Sequence, residues 1–365
     1  MVSRRTILRG GALAIGAPFI NRGRFCLFGA SLAPIYSALT LDLVQRATVI
    51  DMLGLLTLDY RKLSAWKTNP DRFGSADFQR IKDSGITVFH PAVGFTEGDV
   101  YSSSLGDLTG WNSFIDAHPD DFLRVDSPAD LECAKVSGRI GIVLGQQNSM
   151  HFRTVDDVDA FYRLGQRVSQ LTYFPNRIGG GSAGGPDRGL TQFGGEIVER
   201  MNHLGMAIDI SHCGDRTTLD AIEASKKPVL ITHANCRALV PTSARCKTDE
   251  AIQKAAAKGS VIGVTMVRYF VRSGASATIE DVLDHIDHVV KLVGVEHVGL
   301  GSDVDLDGRD TRLGAQRRND LDGIHYAKKV FDLTEGLLRR NYSPANIELI
   351  LGGNFERALS EIWTA

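Results

Sequence analysis

From residue 47 onward, short apolar and β-branched runs alternate with longer amphipathic stretches. This alternation constrains the fold more than any other feature of the chain. The runs read as strands are Ala47–Leu53, Ile86–Val93, Arg139–Gln146, Val168–Phe174, Gly205–His212, Pro228–His233, Ser260–Val267 and His297–Asp303. Near-continuous apolar runs bounded by Gly or polar residues suit strands buried on both faces. Between them lie helical patterns, among them Gly194–Leu204, Arg216–Ser225, Thr248–Lys258 and Ile279–Val293. Strand then helix, repeated, predicts parallel strands with crossover helices. Eight such units close into a (β/α)8 barrel. The competing architecture, an open doubly wound sheet, usually carries a Gly-rich phosphate loop after its first strand. Here that place reads Asp51-Met52-Leu53-Gly54-Leu55 and has no such loop. The stretch from Asn176 to Gly189, with Gly179-Gly180-Gly181, reads as a mobile loop beside the mouth.

The 365 residues suffice for one large barrel. The net charge is −2, and the first 24 residues hold five arginines and no acid, leaving −7 for the rest. A mildly acidic body argues against a nucleic-acid surface. The cysteines, Cys26, Cys133, Cys213, Cys236 and Cys246, are odd in number and scattered, so no disulfide framework is expected. Cys213 reads as a small buried filler. Residues 1–24 begin with Ser3-Arg4-Arg5-Thr6-Ile7-Leu8 and continue through an apolar stretch from Gly10 to Ile20. A basic start and a short apolar segment predict a twin-arginine-type signal, too short for a spanning helix. The expected location is therefore the periplasm or the outer face of the cytoplasmic membrane. Residues 25–46 form a lead-in, partly helical around Leu41–Arg46, and 47–365 the barrel.

Catalytic groups of such barrels sit where strands end. The fifth run ends at His212, the sixth at His233 and the eighth at Asp303; the third is followed by Gln147, and the second carries His90. A lone strand-end histidine is commonly structural. Two on neighbouring strands, with an aspartate two strands on, make a divalent-metal pocket with a position open for water. Asp305 and Asp307 lie close by, but no EF-hand loop is present. Arg237, four residues past His233, reads either as a bidentate clamp for a substrate carboxylate or as a surface ion pair. No nucleophile elbow and no cysteine environment supports covalent catalysis.

These segments resemble the membrane (renal) dipeptidase family of zinc-dependent hydrolases, whose fold is a TIM barrel of the metal-dependent hydrolase type. The resemblance runs from about residue 47 to the C-terminus. It rests on Gly205-Met206-Ala207-Ile208-Asp209-Ile210-Ser211-His212, on Pro228-Val229-Leu230-Ile231-Thr232-His233-Ala234-Asn235, on His297-Val298-Gly299-Leu300-Gly301-Ser302-Asp303 and on Leu351-Gly352-Gly353-Asn354-Phe355. It implies that His212 and His233 bind the second zinc, that Asp303 serves the first zinc and the catalytic water, and that Arg237 takes the substrate carboxylate. The chain departs from the family at four groups. Two first-zinc ligands are replaced by Leu53 and Leu55, the bridging glutamate by Gln147, and an active-site histidine by Tyr173. Leucine cannot ligate zinc, so a two-zinc site is not expected.

The expectation is a dipeptidase-like hydrolase of dipeptides or similar small amides with one Zn2+ or other divalent ion. His212, His233 and Gln147 would hold the ion, with Asp303 as ligand or general base and Tyr173 as oxyanion donor and substrate contact. Altered chemistry in the same pocket, or a metal-depleted barrel that binds or tailors a peptide-like ligand, are the alternatives. The partners expected are a small dipeptide-like substrate, no nucleic acid, membrane contact only through the N-terminal segment, and a homodimer as an option.

Overall fold

The computed structural model describes residues 36–274, 276–308 and 320–363. The expected signal segment, 1–24, lies outside them, as does the lead-in up to residue 35. The strands are β1 (Ile50–Asp51), β2 (Val88–Phe89), β3 (Phe122–Arg124), β4 (Ile140–Ile142), β5 (Leu144–Gln146), β6 (Gln166–Gln170), β7 (Ala207–Asp209), β8 (Ile231–Ala234), β9 (Ile262–Val264) and β10 (Val298–Leu300). The helices are α1 (Ala38–Arg46), α2 (Tyr60–Thr68), α3 (Ser75–Asp83), α4 (Val100–Ala117), α5 (Pro128–Ser137), α6 (Asp156–Arg163) and α7 (Gln192–Leu204). They continue with α8 (Asp215–Ala224), α9 (Asp249–Ala256), α10 (Arg268–Val271), α11 (Ile279–Val293), α12 (Lys329–Arg339), α13 (Pro344–Glu348) and α14 (Asn354–Trp363).

Every ladder is parallel, in the orders β3-β4-β2-β1-β10-β9-β8 and β5-β6-β7. β4 runs straight on into β5, and a bridge from Asp209 to Leu230 joins β7 to the approach of β8. Those two links close the ring. Its eight places match the eight runs read from the sequence, with β4 and β5 sharing one place. β3 is additional. It pairs only with β4, outside the ring.

Buried Ile50, Val88, Val168, Ala207, Leu230 and Val261 come from six different strands or their approaches, yet they form one packed cluster. Only the interior of a closed barrel brings such residues together. Phe355 and Leu359 of α14 belong to the same cluster. Asn354 Nδ2 donates to the carbonyls of Val295 and Val298, and Lys227 Nζ to that of Ile362. The C-terminal helix is thereby fixed across the strand N-termini, and the opposite, C-terminal face is left for the site. A larger apolar layer lies between strands and surrounding helices. Local signals set the helix ends. Thr278 and Asp281 form a capping box at α11, and Gly205 takes the left-handed conformation that ends α7.

The stretch from Asn176 to Gly189 is pinned, contrary to the mobile loop expected. Asp187 accepts from the backbone amides of Gly189, Arg216 and Thr217 and from Thr217 Oγ1. The Ser182 amide donates to the His212 carbonyl at 2.7 Å.

His151 is wholly buried between Phe152 and Phe161, with Nε2 3.1 Å from Gln166 Oε1. Burial pushes its pKa down to about 4. The fold thus holds the neutral ring. This contribution is present above the ordinary histidine value of about 6.5 and is lost as pH falls from there toward 4. His151→Gln should flatten the acid limb of urea-denaturation stability between pH 6.5 and 4 by about 3 kcal/mol. An unchanged limb would show that the ring charges without cost.

Candidate active site

Two strand ends are locked together by one carboxyl group. Asp209, at the end of β7, accepts from Ser211 N (2.9 Å) and Thr232 N (3.1 Å), from Thr232 Oγ1 (2.7 Å) and from Ser211 Oγ. Ser211 Oγ in turn accepts from the His233 amide at 3.0 Å. Because the Thr232 hydroxyl proton goes to Asp209, its oxygen accepts from His233 Nδ1, 2.8 Å away. The proton of neutral His233 is therefore on Nδ1, and the lone pair is on Nε2. That Nε2 lies 3.0 Å from His212 Nε2. Both histidines are buried. Burial first, and then the nearby Arg245 guanidinium, hold both imidazoles well below the ordinary histidine range. At neutral pH both rings are neutral.

Arg245 was not singled out by the sequence. It is buried, and its two terminal nitrogens donate to the carbonyls of Ser211 (2.7 Å) and His233 (2.6 Å). Lys247, two residues on, donates to the Cys213 carbonyl and to Thr218 Oγ1, and burial pushes its pKa down to about 8. The Cys213 thiol, also buried, is pushed up to about 11, as suits an inert filler. Thr232 is fixed by close approach. A Cβ on Gly301 would lie 1.8 Å from the Thr232 carbonyl oxygen, so only glycine fits there.

A cavity of about 590 Å³ opens at this end, and His212, Tyr173, Gln147 and Asp303 all line it. Tyr173 stacks on His212 with ring centroids 4.0 Å apart. Gln147 Nε2 donates to the Ala92 carbonyl at 3.0 Å. Asp303 is held in the left-handed region (φ 55°), and its amide donates to the Leu53 carbonyl. That conformation is uncommon for a residue other than glycine, and strain of this kind concentrates at functional sites. His233 lies behind His212, in contact through Nε2. His90 is buried in the interior, with Nδ1 2.7 Å from the Met52 carbonyl. Arg237 is elsewhere. Its guanidinium grips Asp215 and the carbonyls of Ala244 and Cys246, and it does not line the cavity. Of the two readings the sequence left open for Arg237, the structure shows the ion pair, with Asp215. Lys67 and Asp107, which the sequence reading passed over, do line the cavity.

These features define a parallel barrel with a cavity at its C-terminal strand ends. A model of the membrane dipeptidase family, peptidase family M19, matches residues 39–365, and the chain belongs to that family. Among curated relatives, an uncharacterized dipeptidase of Schizosaccharomyces pombe is 35% identical over 219 residues, 58% of this chain and 52% of that protein. Dipeptidase tcpJ of Claviceps purpurea is 29% identical over 248 residues, 67% of this chain and 54% of that one. The chain spans about half the length of these relatives. Among solved structures, an amidohydrolase from Pseudomonas aeruginosa superposes with a TM-score of 0.77 at 29% identity, over 89% of this chain and 99% of that one. A Rhodobacter sphaeroides metallo peptidase, liganded with a phosphinate mimic of the dipeptide L-Ala-D-Ala, gives 0.72 at 20%, over 87% and 99%, and shares the fold.

The family is metal-dependent, so the donor set matters. In the pair as it stands His212 Nε2–H donates to the His233 Nε2 lone pair; with that one proton displaced, the two imidazoles would fit one divalent ion. Among the described residues, no three His, Cys, Asp or Glu side chains gather to hold one. Leu53 and Leu55 are buried and apolar, so neither supplies a metal-binding atom.

Thr232→Val removes the acceptor for His233 Nδ1–H. Imidazole nitrogen NMR should report a single Nδ1–H tautomer at His233 in the wild type and a mixture in the variant. A mixture in both would refute the relay.

Proposed function

We propose that the chain is a dipeptidase-type hydrolase acting on dipeptides or similar small amides, with at most one metal ion. The observation that supports it best is the convergence of His212 Nε2 and His233 Nε2 to 3.0 Å at a cavity shared with Asp303, Gln147 and Tyr173. His212 and His233 would hold the ion, with the Gln147 amide oxygen beside them. A bound divalent ion supplies Lewis-acid polarisation of a carbonyl and lowers the pKa of water to about 7. The chain's own residues do the rest. Asp303, fixed in its strained turn, takes the proton of the attacking water. Tyr173, held flat against His212, donates to the developing oxyanion. Asp209 and Thr232 keep the His233 lone pair directed at His212.

A second reading is a barrel that binds or tailors a peptide-like ligand without hydrolysis. It is favoured by the His212–His233 hydrogen bond, which satisfies both Nε2 atoms without an ion, and by Leu53 and Leu55. Elemental analysis and a dipeptide panel separate the two. Under the hydrolase reading about one zinc per chain is expected. His212→Ala or His233→Ala should lose it, with activity falling by more than the roughly 10–100-fold that outer-shell changes cost. Two zinc ions per chain would contradict the leucine argument. No metal with no hydrolysis would establish the second reading.

We also propose export by the twin-arginine route, on the strength of Arg4-Arg5 and the apolar stretch behind them. No helix among the described residues is long and apolar enough to cross a membrane. Replacing Arg4 and Arg5 with lysine should leave the protein in the cytoplasmic fraction; unchanged export would dismiss the signal.

A further inference from the structure

We propose that Lys67 is the anion anchor of the cavity, and that the ligands of this site carry a free carboxylate bound there. Lys67 lies on α2, after β1, and Asp107 on α4, after β2. In the strand order both elements follow places on the far side of the ring from β7, which delivers His212. The two side chains line the same cavity as His212; Asp107 is buried and Lys67 half-buried, with side-chain exposures of 4% and 14%. Lys67 Nζ donates to Asp107 Oδ1, and Gln146 Nε2 donates to Asp107 Oδ2 at 3.1 Å. Both carboxylate oxygens of Asp107 are thus engaged by the protein.

The ammonium is not. It carries three donors. Asp107 takes one, and its other neighbour is the Trp111 ring, 5.4 Å from the nitrogen. Among the described residues nothing else accepts from it. Ser64, one turn earlier on the same face of α2, lines the cavity beside it.

A purely structural buried pair would be expected to satisfy its donors internally, because an apolar pair of similar size is often as stable. Here Asp107 and Gln146 instead hold a charged ammonium in place with donors to spare, facing an otherwise largely apolar wall that includes Leu55, Leu63 and Phe95. No other lysine or arginine among the described residues lines the cavity, and Arg237 is committed to Asp215. A carboxylate at Lys67 and Ser64 would leave an uncharged amide over the apolar wall, toward His212 and Tyr173. The anchor deepens the hydrolase reading but does not require turnover, so the two fail separately.

The test is isothermal titration calorimetry of the full-length protein with N-acetyl-leucine and with its C-terminal primary amide. The acid should bind about tenfold more tightly, as a charge-assisted hydrogen bond warrants. Lys67→Arg should keep the preference and Lys67→Met should abolish it. Should Lys67→Met misfold around a stranded carboxylate, the pair Lys67→Met with Asp107→Asn removes both charges and must also lose the preference. An equal affinity for acid and amide in the wild type, or a preference that survives either methionine variant, overturns the anchor. A preserved acid preference without hydrolysis of any dipeptide supports the anchor while removing the hydrolase reading.

Discussion

The site depends on one carboxyl group doing four things at once. Asp209 takes two amides and two hydroxyls from Ser211 and Thr232, and these residues precede His212 and His233 directly. That acceptor ties the C-terminal ends of β7 and β8 to a common point. Their ladder contact is the single bridge from Asp209 to Leu230. Arg245 closes the same junction from the other side, through the carbonyls of Ser211 and His233. A carboxyl group and a guanidinium, both buried, thus staple two strand ends and hold two imidazoles nitrogen to nitrogen. Breaking such buried charged contacts is costly, so the geometry is rigid.

Much of this was legible in the sequence, and the failures have physical reasons. The eight barrel places were readable because strands buried on both faces leave near-unbroken apolar runs such as Pro228–His233. β3 was missed: Phe122-Leu123-Arg124 is too short and too mixed to show a period, and it pairs at one edge only. The stretch from Asn176 to Gly189 looked mobile because its composition is that of a loop. Its order comes from Asp187, whose partners lie about 30 residues away at the start of α8, beyond any local pattern. Strand-end logic named His212, Asp303 and Gln147, and the resemblance named Tyr173; all four line one cavity, while His233, also named from its strand end, lies behind His212. That logic overlooked Arg245, which sits in an irregular connection where spacing carries no direction. Lys67 and Asp107 were invisible for a related reason: they lie on helices, and strand-end reasoning never asks about helices.

The replacements at the mouth and the protonation of the imidazoles belong together. A divalent ion would normally set the charge balance of such a pocket. Leu53 and Leu55, buried and apolar, offer no donors to it. Around the imidazoles the nearest fixed charges include Arg245 and Lys247, which push His212 and His233 toward neutrality on top of burial. Neutral rings are poor proton donors at physiological pH but good lone-pair donors. The tautomer set by Thr232 puts the His233 lone pair at the contact point.

The surroundings therefore prepare the His233 lone pair for a metal ion or, as here, for the His212 N–H donor, and not for acid catalysis. Proton transfer then falls to a group outside the pair. Asp303 is the acidic group that lines the cavity at a strand end, and its backbone there is in the left-handed region, uncommon for a residue other than glycine though tolerated by aspartate. The remaining acid at the cavity, Asp107, has both oxygens occupied by Lys67 and Gln146. The site thus divides its labour by environment. Under the proposed reading, the imidazoles near fixed cations offer lone pairs, Asp303 handles protons, and the ammonium held by Asp107 keeps donors in reserve for an anion.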